Sequence, residues 1–239
     1  MPRKKKTTEI SANEIEEAWA ASTKISLRGK RFSPRQRELF KLTTAAKNTI
    51  TFIGGPAGSA KTYLSVYSAM SLLSKNKDLD LLYVRTVIES ADKGLGALPG
   101  DIEEKFNPYM SPLLDKLEEM LPHSEIHELM KAQRISAVPI NYLRGASWRN
   151  KVVIADEAQN FTFKELTTLV TRIGEGTKLF ICGDYMQSDI NGKSGFEDMV
   201  KVFSGEDCRK NGIHTFDFTT DDIFRSEILK FIIKKIENK

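Results

Sequence analysis

From residue 50 the chain reads Ile-Thr-Phe-Ile-Gly-Gly-Pro-Ala-Gly-Ser-Ala-Lys-Thr, an apolar run that turns through glycines into a lysine and a threonine. Ile50 to Ile53 predicts a strand, and Lys61 to Lys75 predicts a helix. A strand, a tight turn and a helix N-terminus in that order aim several backbone N–H groups at one point, which is what a phosphate group requires. Glycine permits both the turn and the close approach. Gly55, Pro56, Ala57, Gly58, Ser59, Ala60, Lys61 and Thr62 therefore form the expected phosphate loop. Lys61 would neutralise the β- and γ-phosphates, and Thr62 would offer its hydroxyl to magnesium. ATP and Mg2+ are the expected cofactors. Ala60 stands where the usual pattern has a glycine. Its methyl is tolerable at negative φ and costs about 1–2 kcal/mol at positive φ.

Two further apolar runs end in polar groups. Val152-Val-Ile-Ala-Asp156-Glu157 places two carboxylates at a strand end, which in a parallel sheet faces the ligand crevice. Asp156 is placed to hold magnesium, and Glu157 to orient or deprotonate the attacking water. Such a pair by itself often caps a helix. About ninety residues after a phosphate loop and before Ala158-Gln159, it becomes a specific signal. Ile181-Cys-Gly-Asp184-Tyr-Met-Gln187 is the third run, and Gln187 suits a sensor of the terminal phosphate. The alternative is a turn capped by Asp184.

The rest of the chain alternates strand and helix, the pattern of an α/β fold with a mostly parallel sheet flanked by helices. Strands are expected at 81–85, 135–140, 152–155, 177–182 and 214–218. Helices are expected at 34–47, 124–133, 163–173 and 222–236, with a further helix over 101–121 broken by Pro108 and Pro112. Ser33-Pro-Arg-Gln36 opens the first of these with a capping box. Gln36 either serves that cap alone or also reads adenine through its amide. Residues 33–239 form the expected domain. Residues 1–32 form an extension with a short helix from Ser11 to about Ala21 and a linker over 22–32.

Net charge is +4, and the excess lies in residues 1–31, which carry eight Lys/Arg against four Glu. That segment either holds nucleic acid or serves as a solvated tail. No apolar run is long enough to span a membrane, and none comes after the basic start as a signal peptide would need. The two cysteines have no metal spacing, and Cys182 reads as core. A reducing cytoplasm is the expected compartment.

Taken together these segments resemble the PhoH-like family of P-loop ATPases, which is similar to superfamily 1 helicases. The resemblance covers about residues 33–235. It also rests on Leu95-Gly-Ala-Leu-Pro-Gly-Asp101, Asn107-Pro-Tyr-Met-Ser-Pro-Leu-Leu114, Tyr142-Leu-Arg-Gly145, Asp156-Glu-Ala-Gln-Asn160 and Thr171-Arg-Ile-Gly174. It implies a RecA-like core, ATP hydrolysis, a role with RNA and ring-like oligomers, hexamers in particular. Ala60, Thr86 and Phe224-Arg-Ser-Glu depart from the family pattern, which bears on catalytic strength and not on the fold.

A single RecA-like domain needs a neighbour to complete its site, as head-to-tail rings provide. Arg85, Arg172 and Arg225 are the candidates to stabilise transition-state charge, the last two from the next subunit. Lys93, Arg144, Trp148, Arg149 and Lys193 are the candidates to meet RNA or single-stranded DNA near the ATP rim. The leading expectation is an ATPase coupled to such a strand, as a helicase or translocase. The alternative is a slow nucleotide-dependent module that docks a partner such as a ribonuclease. A small-molecule kinase is disfavoured, because the polar groups arrange water and not an acceptor alcohol.

Overall fold

The computed structural model describes residues 25–86, 102–143, 147–190, 192–223 and 226–237, with the side chains of 102–109 and 237 left aside. Six strands form one parallel sheet in the order β3-β2-β4-β5-β1-β6. They are β1 (Ile50–Gly54), β2 (Asp80–Arg85), β3 (Ile135–Pro139), β4 (Lys151–Ala155), β5 (Lys178–Gly183) and β6 (Ile213–Asp217). The central strands β1, β4 and β5 are buried along almost their whole length. That burial matches their unbroken apolar sequence, since a parallel sheet is covered on both faces.

Alternate side chains supply two cores. Ile53, Val152, Ile154, Phe180 and Cys182 point to one face. There they meet α1 (Pro34–Thr44), α2 (Lys61–Leu73), α3 (Ile102–Met120) and α4 (His123–Lys131). Phe52, Val153, Ala155, Leu179 and Ile181 point to the other face, against α5 (Phe163–Val170) and α6 (Phe196–Val202). Phe52, Phe161, Phe180 and Phe196 are at most 1% exposed, and each is worth about 1.5–3 kcal/mol in burial. The expected α/β fold, RecA-like with helices on both faces of a parallel sheet, is thus the observed one. Two short helices, α6 and α7 (Glu206–Lys210), fill the stretch between β5 and β6 for which the sequence pattern predicts no element.

Three local expectations change. Pro108 and Pro112 do not interrupt α3, which runs unbroken from Ile102 to Met120. Each proline forfeits one hydrogen bond, and burial of Met110, Leu113, Leu117 and Met120 along one stripe offsets that loss. The closing helix does not begin at Asp222. A 3-10 turn at Thr220–Asp222 comes first, because the Asp222 carboxylate accepts from the Thr219 N–H and hydroxyl. The final helix, α8, spans Glu227–Glu237.

The third change concerns residues 25–32, expected as a linker. Ile25, Leu27 and Phe32 pack against the first core. The Ser26 N–H donates to Glu125, and the Arg28 N–H donates to the Met120 carbonyl at 3.0 Å. This stretch is an extended strap that crosses from α4 toward α1. The expected helix over 11–21 lies outside the described residues.

Arg134 ties the lower edge of the sheet together. Its side chain is buried, and its guanidinium donates to the carbonyls of Leu79 at 2.7 Å, Asn76 at 3.2 Å and Leu73 at 3.4 Å. It thereby joins the end of α2 and the start of β2 to the residue before β3. Arg134→Met would leave buried carbonyls without donors. Chemical denaturation should show a loss of at least about 2 kcal/mol, with Arg134→Lys restoring only part of it because lysine lacks the planar fork.

Candidate functional site

The phosphate loop leaves β1 and enters α2 as expected. Gly55 has φ +139° and Gly58 φ +81°, and a Cβ at Gly55 would meet Phe218 at 2.7 Å. Ala60 has φ +68°, so it takes the costly branch: the backbone here wants a glycine and carries a methyl. The Lys61 ammonium folds onto the loop and donates to the carbonyls of Gly55 at 2.6 Å and Pro56 at 3.0 Å. Burial pushes its pKa below the usual lysine range, while Asp184, Asp156 and Glu157 pull it back.

Asp156 emerges from β4 directly opposite Thr62. The Thr62 hydroxyl donates to Asp156 Oδ1 at 2.8 Å. The Tyr83 hydroxyl, from β2, donates to Asp156 Oδ2. Burial first, and then the charge and hydrogen bond of Asp156, push the Tyr83 phenol far above its usual range, so it stays a donor. Asp156 itself is only 4% exposed. A buried carboxylate beside a hydroxyl is the oxygen donor set that magnesium takes when phosphates and water complete its shell. The residues present therefore fit that ion. Among the described residues no cluster of three or more His, Cys, Asp or Glu could hold a metal by protein ligands alone.

Glu157 sits at φ +55°, a left-handed conformation that is uncommon for this residue and recurs at functional sites. Its carboxylate is held from two sides. Gln159 Nε2 donates to Oε2 at 2.6 Å, and Arg85 lies 3.6 Å from Oε1. Arg85 is thus an ion-pair partner of Glu157 at the end of β2. Gln159 also reaches the next strand end, where its Oε1 accepts from the Asp184 N–H at 3.0 Å. Asn160 continues the link, donating to Asp189 Oδ2 at 3.0 Å and accepting from the Asp189 N–H at 2.8 Å. Glu157 is therefore wired to the segment that carries Gln187.

A cavity of about 440 Å³ opens over these groups. One wall holds Ala57, Gly58, Ala60, Lys61, Thr62, Asp156, Glu157, Asp184 and Gln187. The other holds Lys30 from the strap, Tyr63, and Lys116 and Glu119 from α3. The Lys30 ammonium lies 3.8 Å from the centre of the Tyr63 ring and 3.7 Å from the Glu119 carboxylate.

Other expected site residues lie elsewhere. Gln36 closes the capping box, its Oε1 accepting from the Ser33 N–H at 3.0 Å, and it does not line the cavity. Arg172 comes just after α5 at the starts of the strands, where its carbonyl accepts from the Trp148 N–H. It is therefore at the opposite edge of the sheet from its own phosphate loop. Trp148 is 3% exposed and packed in the second core, so it is not a stacking platform, and Arg149 beside it lies away from the cavity rim. Lys193 is exposed beyond β5, on the rim side. Arg225, Lys93 and Arg144 fall outside the described residues.

Tyr83, the bridging role of Gln159 and the Asn160–Asp189 clamp have no counterpart among the sequence-based expectations. Tyr83 reads from sequence as one more apolar strand position. The Gln159-Asn160 pair after the carboxylates was the available signal.

A family model described as PhoH-like protein matches residues 30–237. The PhoH-like protein of Mycobacterium tuberculosis (strain ATCC 25618 / H37Rv) is 34% identical over 212 residues, covering 87% of this chain and 59% of that protein. The PhoH-like protein of Synechocystis sp. (strain ATCC 27184 / PCC 6803 / Kazusa) is 39% identical over 165 residues, covering 68% and 49%. The chain thus spans roughly half to three-fifths of the relatives' length. A solved structure of Pif1 helicase from Candida albicans matches with a TM-score of 0.45 and 18% identity, covering 88% of this chain and 44% of that one.

The left-handed backbone at Ala60 reverses an ordinary expectation. Alanine to glycine near a helix start normally lowers stability. Here the relief of about 1–2 kcal/mol of steric strain should match or exceed the glycine entropy cost of about 0.4–1 kcal/mol. Thermal denaturation of Ala60→Gly should therefore show an unchanged or raised Tm, whereas Ala60→Val should lower it.

Proposed function

The chain belongs to the PhoH-like family, and on that premise we propose that it binds and hydrolyses ATP with Mg2+, coupled to RNA or single-stranded DNA. The carrying observation is the continuous set of contacts from Thr62 through Asp156 and Glu157 to Gln159 and Asp184. In this reading the loop N–H groups of Gly55 to Thr62 cradle the phosphates, and Lys61 exchanges its loop carbonyls for phosphate oxygens. Thr62 and Asp156 would hold magnesium, which supplies charge neutralisation between the phosphates. Glu157, held by Gln159 and Arg85, orients the attacking water and accepts its proton. Gln187 hydrogen-bonds the terminal phosphate or that water. Gln159 and Asn160 carry the change to residues 184–189, and so toward the rim where Lys193 stands. The base and ribose are left to the wall of Lys30, Tyr63, Lys116 and Glu119.

Among the described residues, the arginine that reaches this site is Arg85, and it is engaged by Glu157. Arg172, at the far edge of the sheet, can serve only a neighbour's site, and Arg225 is the other candidate. This supports a cyclic head-to-tail oligomer, a hexamer by family resemblance. A second reading, a slow nucleotide-dependent module that docks a partner such as a ribonuclease, is favoured by the strain at Ala60. A cytoplasmic setting suits both, and among the described residues no helix is long and apolar enough to cross a membrane.

ATP hydrolysis measured with and without single-stranded RNA or DNA distinguishes the two. Glu157→Gln should keep ATP binding and lose turnover by about 100-fold or more, as removal of a general base does. Lys61→Ala should lose ATP binding. Strand-stimulated turnover that both substitutions abolish supports the motor. Tight binding without turnover in the unmodified chain, whatever strand is added, selects the docking module.

A further inference from the structure

The last helix presents an apolar stripe to solvent. Ile228, Phe231, Ile232 and Ile236 are 64%, 57%, 45% and 57% exposed, while Ile233 on the other side of α8 is buried. Their spacing of three and four residues puts them on one face. Lys235 lies within that stripe, its ammonium 5.7 Å from the centre of the Phe231 ring. Four large apolar groups in one row are more than the scattered single exposures that need no explanation. Lys230 and Lys234 turn instead toward Asp221.

A complementary sequence lies near the other end of the chain. Residues 9–21 read Glu-Ile-Ser-Ala-Asn-Glu-Ile-Glu-Glu-Ala-Trp-Ala-Ala, with four carboxylates and no cation. Laid out at helical spacing, Ala12, Ile15 and Trp19 share one face, and Glu16 falls beside them. This is an apolar stripe flanked by an anion, against an apolar stripe flanked by a cation.

Reach decides whose segment it is. The strap enters over α4, where Ser26 donates to Glu125, and α4 packs on β3. The α8 helix is anchored instead to the turn after β6, through Lys230 and Asp221. Strands β3 and β6 are the two edges of the sheet. Five inter-strand spacings separate them, about 24 Å. With residues 22–24 between them, Ala21 can lie at most about 14 Å from Ile25 at the start of the strap. The near end of the segment, Ala21, is thus tethered on the β3 side of the sheet, short of the β6 edge, which favours the α8 of a second copy over its own.

We infer that residues 10–21 of one copy dock on the exposed face of α8 of a second copy, with Ile15 and Trp19 against Phe231 and Ile232 and Glu16 near Lys235. An arm at one sheet edge and its receptor at the other make a heterologous contact, the kind that propagates head to tail and closes into a ring. This rests on the cyclic assembly proposed above and supplies its joint. Because the assembly is measured without nucleotide, a failure of hydrolysis leaves it standing.

The test uses the full chain with Trp19→Glu or Phe231→Glu, each checked by thermal melting for an intact fold, in sedimentation velocity without ATP. The unmodified chain should sediment as an assembly, and each variant alone as a 27.0 kDa monomer. An equimolar mixture of the two should give a dimer and nothing larger, since intact arms of the Phe231→Glu chain meet intact faces of the Trp19→Glu chain once. A monomeric unmodified chain, a variant that assembles as the unmodified chain does, or a mixture that stays monomeric would each overturn the inference.

Discussion

The hydrogen bond from Thr62 to Asp156 is the contact on which the rest of the site depends. It joins the first turn of α2 to the end of β4, two elements separated by ninety-four positions in the chain. Between β1, which feeds the phosphate loop, and β4 lies β5, and these central strands are buried on both sides. The carboxylate is thus delivered by a rigid layer and not by a loop. Tyr83 then fixes its second oxygen from the neighbouring strand. With both oxygens committed, Asp156 has one orientation, and Glu157 beside it inherits a fixed starting point.

That rigidity divides the two ends of the strands by purpose. The strand ends after β1, β4 and β5 carry the phosphate loop, the Asp156–Glu157 pair and Gln187. The strand beginnings hold structural ties such as the Arg134 guanidinium among three carbonyls, and the isolated pairing of Trp148 with Ile173. Arg172 belongs to that second set within its own chain. A residue can therefore be remote from one site and still face another, once copies are arranged side by side.

Much of this was legible in the sequence, for reasons that can be named. The phosphate loop and the carboxylate pair are local signals: each needs only its own strand and the few residues after it. The order of strands and helices came through because each apolar run was flanked by polar turns. What escaped was whatever depends on contacts distant in sequence. The strap over 25–32 reads as a linker because its apolar residues are spaced among lysines and arginines, and only α3 and α4 reveal their use. Trp148 and Arg149 read as part of the ligand rim because a loop from β3 to β4 begins there. It ends at the opposite edge, and both residues lie at that end. The proline-containing helix stayed whole because its buried stripe outweighs two missing donors, a comparison that propensity alone does not make.

The side-chain amide of Gln159 has two unlike ends, and both are used. Its nitrogen faces a carboxylate and its oxygen faces a backbone N–H. Turning the amide over would set oxygen against oxygen and nitrogen against nitrogen, so a flip loses both bonds at once. The junction between the strand ends of β4 and β5 thus behaves as a keyed coupling with a single way of seating. Glu157 and the Asp184 N–H share one planar amide, so a movement of either bears on the other.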